Sequence, residues 1–283
     1  MPPRAWQDHF ASVMLQLGGE RLKTEPNVFV FRDLPLFVMT YVDDIVAIGP
    51  EDKVSNFFGA LEKHLLIKII GDLTPGGPTI TFLGRLVNQD DKGIHLRAHE
   101  DYISSMLSAA GLSSAKPNST TGSTTSHAVS DGASHVTLTE HRLFRSLVGK
   151  LLWLVPIRPD LAFAVKELSR SMQAPTYADF GRLKHVLRYV KGTSDFRLSL
   201  CPDRVDYGPE SLLSVLVFAD SDWACCTDTR KSTSGCVVTV AGVCVSHFAR
   251  TQQTVALSSA EGELYAMCSA TCEGFAIHQF LKE

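Results

Sequence analysis

Between Phe37 and Gly49 the chain reads FVMTYVDDIVAIG, an apolar run broken in its middle by two adjacent carboxylates, Asp43 and Asp44. The flanking runs, Leu36 to Tyr41 and Ile45 to Ile48, have strand length, and another, Val28 to Arg32, precedes them. Their aromatic and β-branched content predicts strands, with Val42 to Asp44 forming the tip of a β-hairpin that carries both carboxylates. Upstream the period changes: Trp6, Phe10, Val13, Met14 and Leu17 recur at helical spacing and Gly18 and Gly19 end the pattern. A helix that begins at residue 2 reads as part of a longer element.

Further along, EDKVSNFFGALEKHLLI returns to helical spacing through Val54, Phe57, Phe58, Leu61 and Leu65. The stretch from Thr79 to Gly111 reads as a hairpin turning near Asp90 to Gly93, followed by a helix. Leu112 to His135 is rich in Ser, Thr, Gly and Pro, which predicts a linker or mobile loop and the best internal boundary. Three helices are expected beyond it, Thr139 to Val155, Pro159 to Gln173 and Thr176 to Lys191, the second opened by Pro159 in its first turn. The last part reads as a strand ending in FADSDWA, a hairpin turning at Ala241 and Gly242, and a helix opened by Ser258 and Glu261 at capping-box spacing. Three strands followed by a helix is an α/β order.

With 283 residues the chain is long enough for two cores. Its apolar runs are all interrupted short of a membrane span and its start lacks a signal-peptide pattern, which argues for an intracellular protein. The seven cysteines include no CxxC pair and no His at zinc-finger spacing, so they read as free thiols. Net charge is −3, but the charge is unevenly placed: from His141 to Arg197 eleven Lys or Arg face four acids. Such a segment, beside acidic clusters at 43–44 and 220–222, suits a phosphate-backbone track next to metal ligands, and equally a set of solvated helix faces.

A carboxylate is costly to place among apolar residues unless something pairs with it. Mg²⁺ is commonly held by one or two carboxylates, with water and substrate phosphates completing the octahedron. Asp43 and Asp44 at a hairpin tip would supply such a half-site, whereas an isolated DD pair elsewhere is more simply a polar turn.

YVDD resembles the active-site box of reverse transcriptases. PPRAWQDHF, FLGRLV, GIHLRAHEDYISSML, FRSLVGKLLWL, RPDLAFAVKELSRSMQAPT, LKHVLRYVKGTSD, ADSDWACCTDTRKSTSG and TVALSSAEGELYAM are similar, in the same order, to the pol polyprotein of copia-type LTR retrotransposons. The resemblance covers nearly the whole chain. It implies an α+β palm fragment and thumb over residues 1–111, a linker at 112–135, a basic helical connection at 136–200, and a truncated α/β ribonuclease H-like module at 211–283. It also implies two-metal chemistry with Mg²⁺, or Mn²⁺, on an RNA template, a DNA primer and their RNA:DNA hybrid, inside a larger polyprotein located in cytoplasmic virus-like particles or the nucleus.

Residue by residue, Asp43 and Asp44 match the catalytic aspartates of the palm, and Tyr41 and Val42 positions next to primer and template. Phe82, Leu83 and Gly84 match the FLG of the primer-gripping hairpin. Arg145, Lys150, Lys184, Arg188 and Lys191 are the expected phosphate contacts in the basic helices. Asp220 matches the first ribonuclease H carboxylate and Glu263 the one borne on a helix, where the first turns favour an anion. Asp222 is a rival ligand if the strand continues, Glu261 is expected to cap, and His247 to be structural. The Cys225–Cys226 pair departs from the Gly-Asp-type residues usual after DWA.

The resemblance further implies one more carboxylate for each metal site, on strands before residue 1 and after residue 283, and hence open sheet edges, poor solubility and weak or absent activity of this chain alone. Two other readings stay open: a non-catalytic nucleic-acid-binding protein or degenerate transposon remnant, and, with little support because no nucleophile elbow is present, a serine hydrolase.

Overall fold

The computed structural model describes residues 3–122, 136–203 and 213–283. They form two compact units, one made of the residues up to Asp72 with Phe275–Glu283, the other of Leu73–Gly274.

In the first unit α1 (Pro3–Gln16) leads into the antiparallel sheet β1 (Glu20–Arg21), β2 (Val28–Phe31), β3 (Leu36–Tyr41) and β4 (Asp44–Ile48), ordered as in the chain and followed by α2 (Glu51–Leu61). Gly18, at φ +91°, occupies the left-handed region that ends α1 without a Cβ clash. Alternation along β3 decides the sheet's two faces. Leu36 and Val38 are fully buried with Phe10, Met14, Phe29, Phe31, Phe57 and Leu61, while Phe37, Met39 and Tyr41 point to the open face. Each fully buried side chain of this size contributes roughly 1.5–3 kcal/mol, so the helices fix which face of the hairpin is open.

The second unit contains β5 (Ile80–Phe82), β6 (Arg85–Asp90), β7 (Gly93–Ala98), α3 (Glu100–Ala109), α4 (Leu138–Leu154), α5 (Ala162–Arg170), α6 (Tyr177–Gly192) and β8 (Leu198–Leu200). Two 3₁₀ turns, Val155–Ile157 and Pro159–Leu161, join α4 to α5. Strands β5 to β8 form one antiparallel sheet in chain order. The core of this part runs from Ile103 and Met106 through Phe144, Leu147 and Leu151 to Leu183 and Leu187. Thus α3 packs with the basic helices, and residues 73–111, read from sequence together with the carboxylate hairpin, belong to the other unit. Helices α4 and α6 open on capping boxes, Thr137 with Glu140 and Thr176 with Asp179.

The remainder is β9 (Val215–Ser221), β10 (Thr233–Val240), β11 (Val243–Thr251) and α7 (Ser259–Lys282), the sheet being ordered β11-β10-β9. The β10–β11 turn falls at Ala241 and Gly242, as the sequence predicts. Small residues set the helix against the sheet: a Cβ at Gly274 would lie 2.5 Å from Val217 Cγ2 and one at Gly262 3.2 Å from Ser221 Oγ.

The segment expected to be a linker differs from that expectation over its described part. Residues 112–122 lie along α6, where Arg188 Nε donates to the Lys116 carbonyl at 2.6 Å and Lys191 Nζ to those of Ser113 and Ala115 at 2.6 and 2.8 Å. Polar composition alone does not make a segment loose when a neighbouring helix offers donors to its backbone. Residues 123–135 of the same segment, and 211–212 of the last expected module, lie outside the described residues.

Candidate metal and nucleic-acid sites

The β3–β4 connection is a two-residue turn, with Tyr41 paired directly to Asp44 across the strands. Val42 takes φ +59°, a conformation that costs a β-branched residue about 1–2 kcal/mol. Its carbonyl accepts from Trp6 Nε1 at 2.6 Å and, at 3.4 Å, from Thr40 Oγ1, so α1 holds the turn in place. Strand pairing puts Asp44 on the open face with Tyr41, Met39 and Val46. Asp43 is exposed at the tip, and neither carboxylate has a hydrogen-bond or ion-pair partner among the described residues. Two adjacent hard oxygen donors, unpaired among the described residues, one exposed and one half-buried, fit a divalent cation that retains water and phosphate ligands.

The FLG motif lies at a second two-residue turn, which the sequence reading did not separate from the turn at Asp90. Phe82 pairs with Arg85, while Leu83 and Gly84 take φ +49° and +74°. The Arg85 guanidinium lies over the Trp153 ring, 5.2 Å from its centroid, and fastens this hairpin to α4.

The expected phosphate contacts fall into two groups. Arg145 and Lys184 are exposed. Lys150 donates to Ser105 Oγ at 3.1 Å and lies over Tyr102, and Arg188 and Lys191 hold residues 113–116 as described. Lys184 Nζ also lies over the Phe180 ring, 5.9 Å from its centroid, so four of the five have structural partners.

Asp220 and Asp222 lie at the end of β9, lining a groove with Phe163, Phe218, Thr233 and His247. One oxygen of Asp222 is engaged by the Thr233 amide at 2.6 Å, which gives this carboxylate a local structural role. Helix α7 packs on the face of β9 that carries Val217 and Ser221, whereas strand alternation puts Asp220 and Phe218 on the opposite face. Glu263 sits in the first turns of α7, and no interaction joins it to Asp220 among the described residues. No cluster of three potential metal-ligating side chains forms among the described residues either.

Gln252, which the sequence reading passed over, positions the start of α7. Its buried Nε2 lies 3.1, 3.0 and 2.8 Å from Ser221 Oγ, Ser234 Oγ and the Gly262 carbonyl, which share its two N–H donors. A Gln between a strand and an Ala-Leu-Ser-Ser stretch carries no pattern of its own, so only the fold reveals it. Glu261 accepts from the Leu257 amide at 2.7 Å and its own amide donates to Ser258 Oγ at 3.2 Å, the capping role expected of it.

No family model matches the chain. It is 34% identical over 239 residues to an uncharacterized mitochondrial protein of Arabidopsis thaliana, covering 84% of this chain and 92% of that protein. It is 30% identical over 275 residues to the retrovirus-related Pol polyprotein from transposon RE2 of the same plant, and 28% identical over 306 residues to that from transposon TNT 1-94 of Nicotiana tabacum. Those two alignments take in 96% and 99% of this chain but only 18% and 21% of the polyproteins. The chain is a transposon-type Pol segment. It belongs to the family that joins this mitochondrial protein to the retrovirus-related Pol polyproteins of transposons, and it spans about a fifth of the full polyproteins' length.

Proposed function

We propose that this chain is a segment of a copia-type reverse transcriptase, an RNA-directed DNA polymerase joined to ribonuclease H, and that its β3–β4 hairpin contributes to the polymerase metal site. The observation that carries the reading is the pair Asp43–Asp44: carboxylates without a partner among the described residues, one exposed and one half-buried, at a strained turn that the Trp6 indole anchors. Backbone strain of this kind persists where surrounding structure over-determines it, commonly at functional sites. Mg²⁺ bound there would supply positive charge to the phosphates of an incoming nucleotide and a primer end. The protein's part is to hold two oxygens at a fixed tip and to keep the open face of β3, with Tyr41 and Met39, free for a primer–template duplex.

The ribonuclease H half of the reading rests on the sequence resemblance of Asp220 and Glu263, since the described residues do not bring the two carboxylates together. No metal-dependent step is assigned to that pair. The fold class, a palm fragment followed by a ribonuclease H-like module, is likewise part of the proposal, supported by the order of elements and by the Pol relatives.

The test is binding of a primed RNA:DNA hybrid with Mg²⁺ and with EDTA. In the wild-type chain Mg²⁺ should strengthen binding, and Asp43→Asn with Asp44→Asn should remove that gain while leaving the salt-dependent part. A gain of the same size in the double variant would sink the proposal.

A further inference from the structure

We propose that Ser113–Thr120 is a displaceable strap over the basic face of α6, and that a polyphosphate chain competes with it for Arg188, Lys191 and His185. The nature of the ligand, the backbone of an RNA:DNA hybrid, rests on the function proposed above.

The strap is held almost wholly by polar bonds to α6. Arg188 Nε reaches the Lys116 carbonyl at 2.6 Å, Lys191 Nζ those of Ser113 and Ala115 at 2.6 and 2.8 Å, and His185 Nε2 lies 3.1 Å from that of Thr120. In the other direction Asn118 donates its amide to the Arg188 carbonyl at 3.2 Å and Nδ2 to that of His185 at 3.1 Å. Most strap residues are exposed, and only Ala115 and Asn118 are half-buried. A segment that buries so little apolar surface sits at the low end of local stability.

A carbonyl oxygen satisfies a donor without neutralising its charge. No carboxylate pairs with Arg188 or Lys191 among the described residues, and the strap adds the exposed Lys116 beside them. Phosphate oxygens accept from the same donors while carrying the opposite charge, which a carbonyl does not, and can take a guanidinium bidentately. Polyphosphate binding therefore gains both the exchange of acceptor and relief of like-charge crowding, against the loss of the strap's own contacts.

Gly192, at the end of α6, faces the strap with no room for a side chain. A Cβ there would stand 2.9 Å from Pro117 Cβ and 3.2 Å from the Asn118 oxygen. Gly192→Ala thus wedges the strap away without removing a cation, and Asn118→Ala removes its side-chain bond to the His185 carbonyl by another route.

Long-chain inorganic polyphosphate and an RNA:DNA hybrid are titrated into the full chain and both variants, with hydrogen exchange followed at the Asn118 amide in wild type and in Gly192→Ala. Because the open fraction scales apparent affinity, both variants should bind each ligand at least threefold more tightly, and polyphosphate should speed Asn118 exchange in wild type. Equal or weaker binding by both variants, or slowed Asn118 exchange, overturns the strap. Hybrid binding unchanged by either variant overturns the strap and leaves the Pol reading standing. Polyphosphate binding that follows the strap pattern without any hybrid binding supports the strap and counts against that reading.

Discussion

The indole Nε1 of Trp6 donates to the carbonyl oxygen of Val42 at 2.6 Å, tying the first helix to the turn that presents Asp43 and Asp44. One bond thus connects the packing of α1, through Phe10 and Met14, to the geometry of the carboxylate pair. Trp6→Phe keeps much of the ring packing and removes the donor. It should destabilise the chain by about 1 kcal/mol, the usual net value of such a bond, and broaden amide resonances of the turn. Val42→Gly removes the steric penalty of φ +59° and, after the entropic cost of glycine, should leave stability within about 1 kcal/mol of wild type. Thermal denaturation of both variants checks the pair; a larger loss in Val42→Gly than in Trp6→Phe would mean that the valine side chain packs more than the turn strains.

Arg158 is the most heavily engaged buried cation. It is 4% exposed, donates to both oxygens of Asp160 at 2.9 and 2.7 Å and to the Thr193 carbonyl and hydroxyl at 2.9 and 2.7 Å, and lies between the Tyr189 and Phe196 rings. Removing Arg158 would leave the Thr193 carbonyl without its donor, while Asp160 faces solvent. Arg158→Ala should therefore cost about 1.5–3 kcal/mol in urea unfolding through its lost charged hydrogen bonds, whereas Lys184→Ala on the surface of α6 should stay within about 0.5 kcal/mol.

The β6–β7–β8 sheet has its own acid sensitivity. His95 Nε2 lies 2.8 Å from Asp90 Oδ2 and the Lys92 amide donates to Asp90 Oδ1 at 2.9 Å, and these contacts, that with His95 foremost, lower the Asp90 pKa from 3.8 to about 2. His95 Nδ1 lies 2.9 Å from Ser199 Oγ on β8, so the same imidazole spans the three strands. A carboxylate with a depressed folded-state pKa stabilises fully above its unfolded value and loses that contribution as pH falls through the folded value. Stability should thus decline between pH 3.8 and about 2 in wild type and more shallowly in Asp90→Asn. Identical acid limbs in the two proteins would contradict the assignment.

Cys226 should be the fastest thiol to alkylate at neutral pH. Burial raises its pKa, but the Thr229 hydroxyl at 3.0 Å and the Arg170 guanidinium at 2.7 Å outweigh that and bring it down to about 7. Its neighbour Cys225 is shifted upward, burial being the first cause and Asp222 the next. Mass-spectrometric rates with iodoacetamide should rank Cys226 ahead of Cys225, and Arg170→Met should slow Cys226 selectively. A Cys226 rate indifferent to Arg170→Met would remove the guanidinium from the account.

The parts of the fold legible in the sequence are those with a strong local period. The α1 and α2 spacings, the YVDD hairpin and the Ala241–Gly242 turn all follow from side-chain alternation and turn chemistry within a few residues. Strand β8 was not legible because three residues, Leu198–Leu200, carry no period; β7 pairs with them from about a hundred positions away. The turn at Leu83–Gly84 was hidden because leucine is a poor marker of φ +49°. The division of the chain followed composition in the sequence, yet α3 joins α4 and α6 through Met106 and Leu107, a choice made by packing partners outside the segment. For the same reason Arg188 and Lys191 read as free phosphate contacts, since nothing local reveals carbonyls more than seventy residues upstream.

The most direct test of the central claim is Mn²⁺ titration followed by paramagnetic broadening of backbone amides in the wild-type chain and in Asp43→Asn/Asp44→Asn. The account predicts broadening centred on Tyr41 to Asp44 at low Mn²⁺, reversed by excess Mg²⁺ and lost in the double variant. Broadening absent from this turn, or equal in the double variant, would contradict a metal-binding role for the pair.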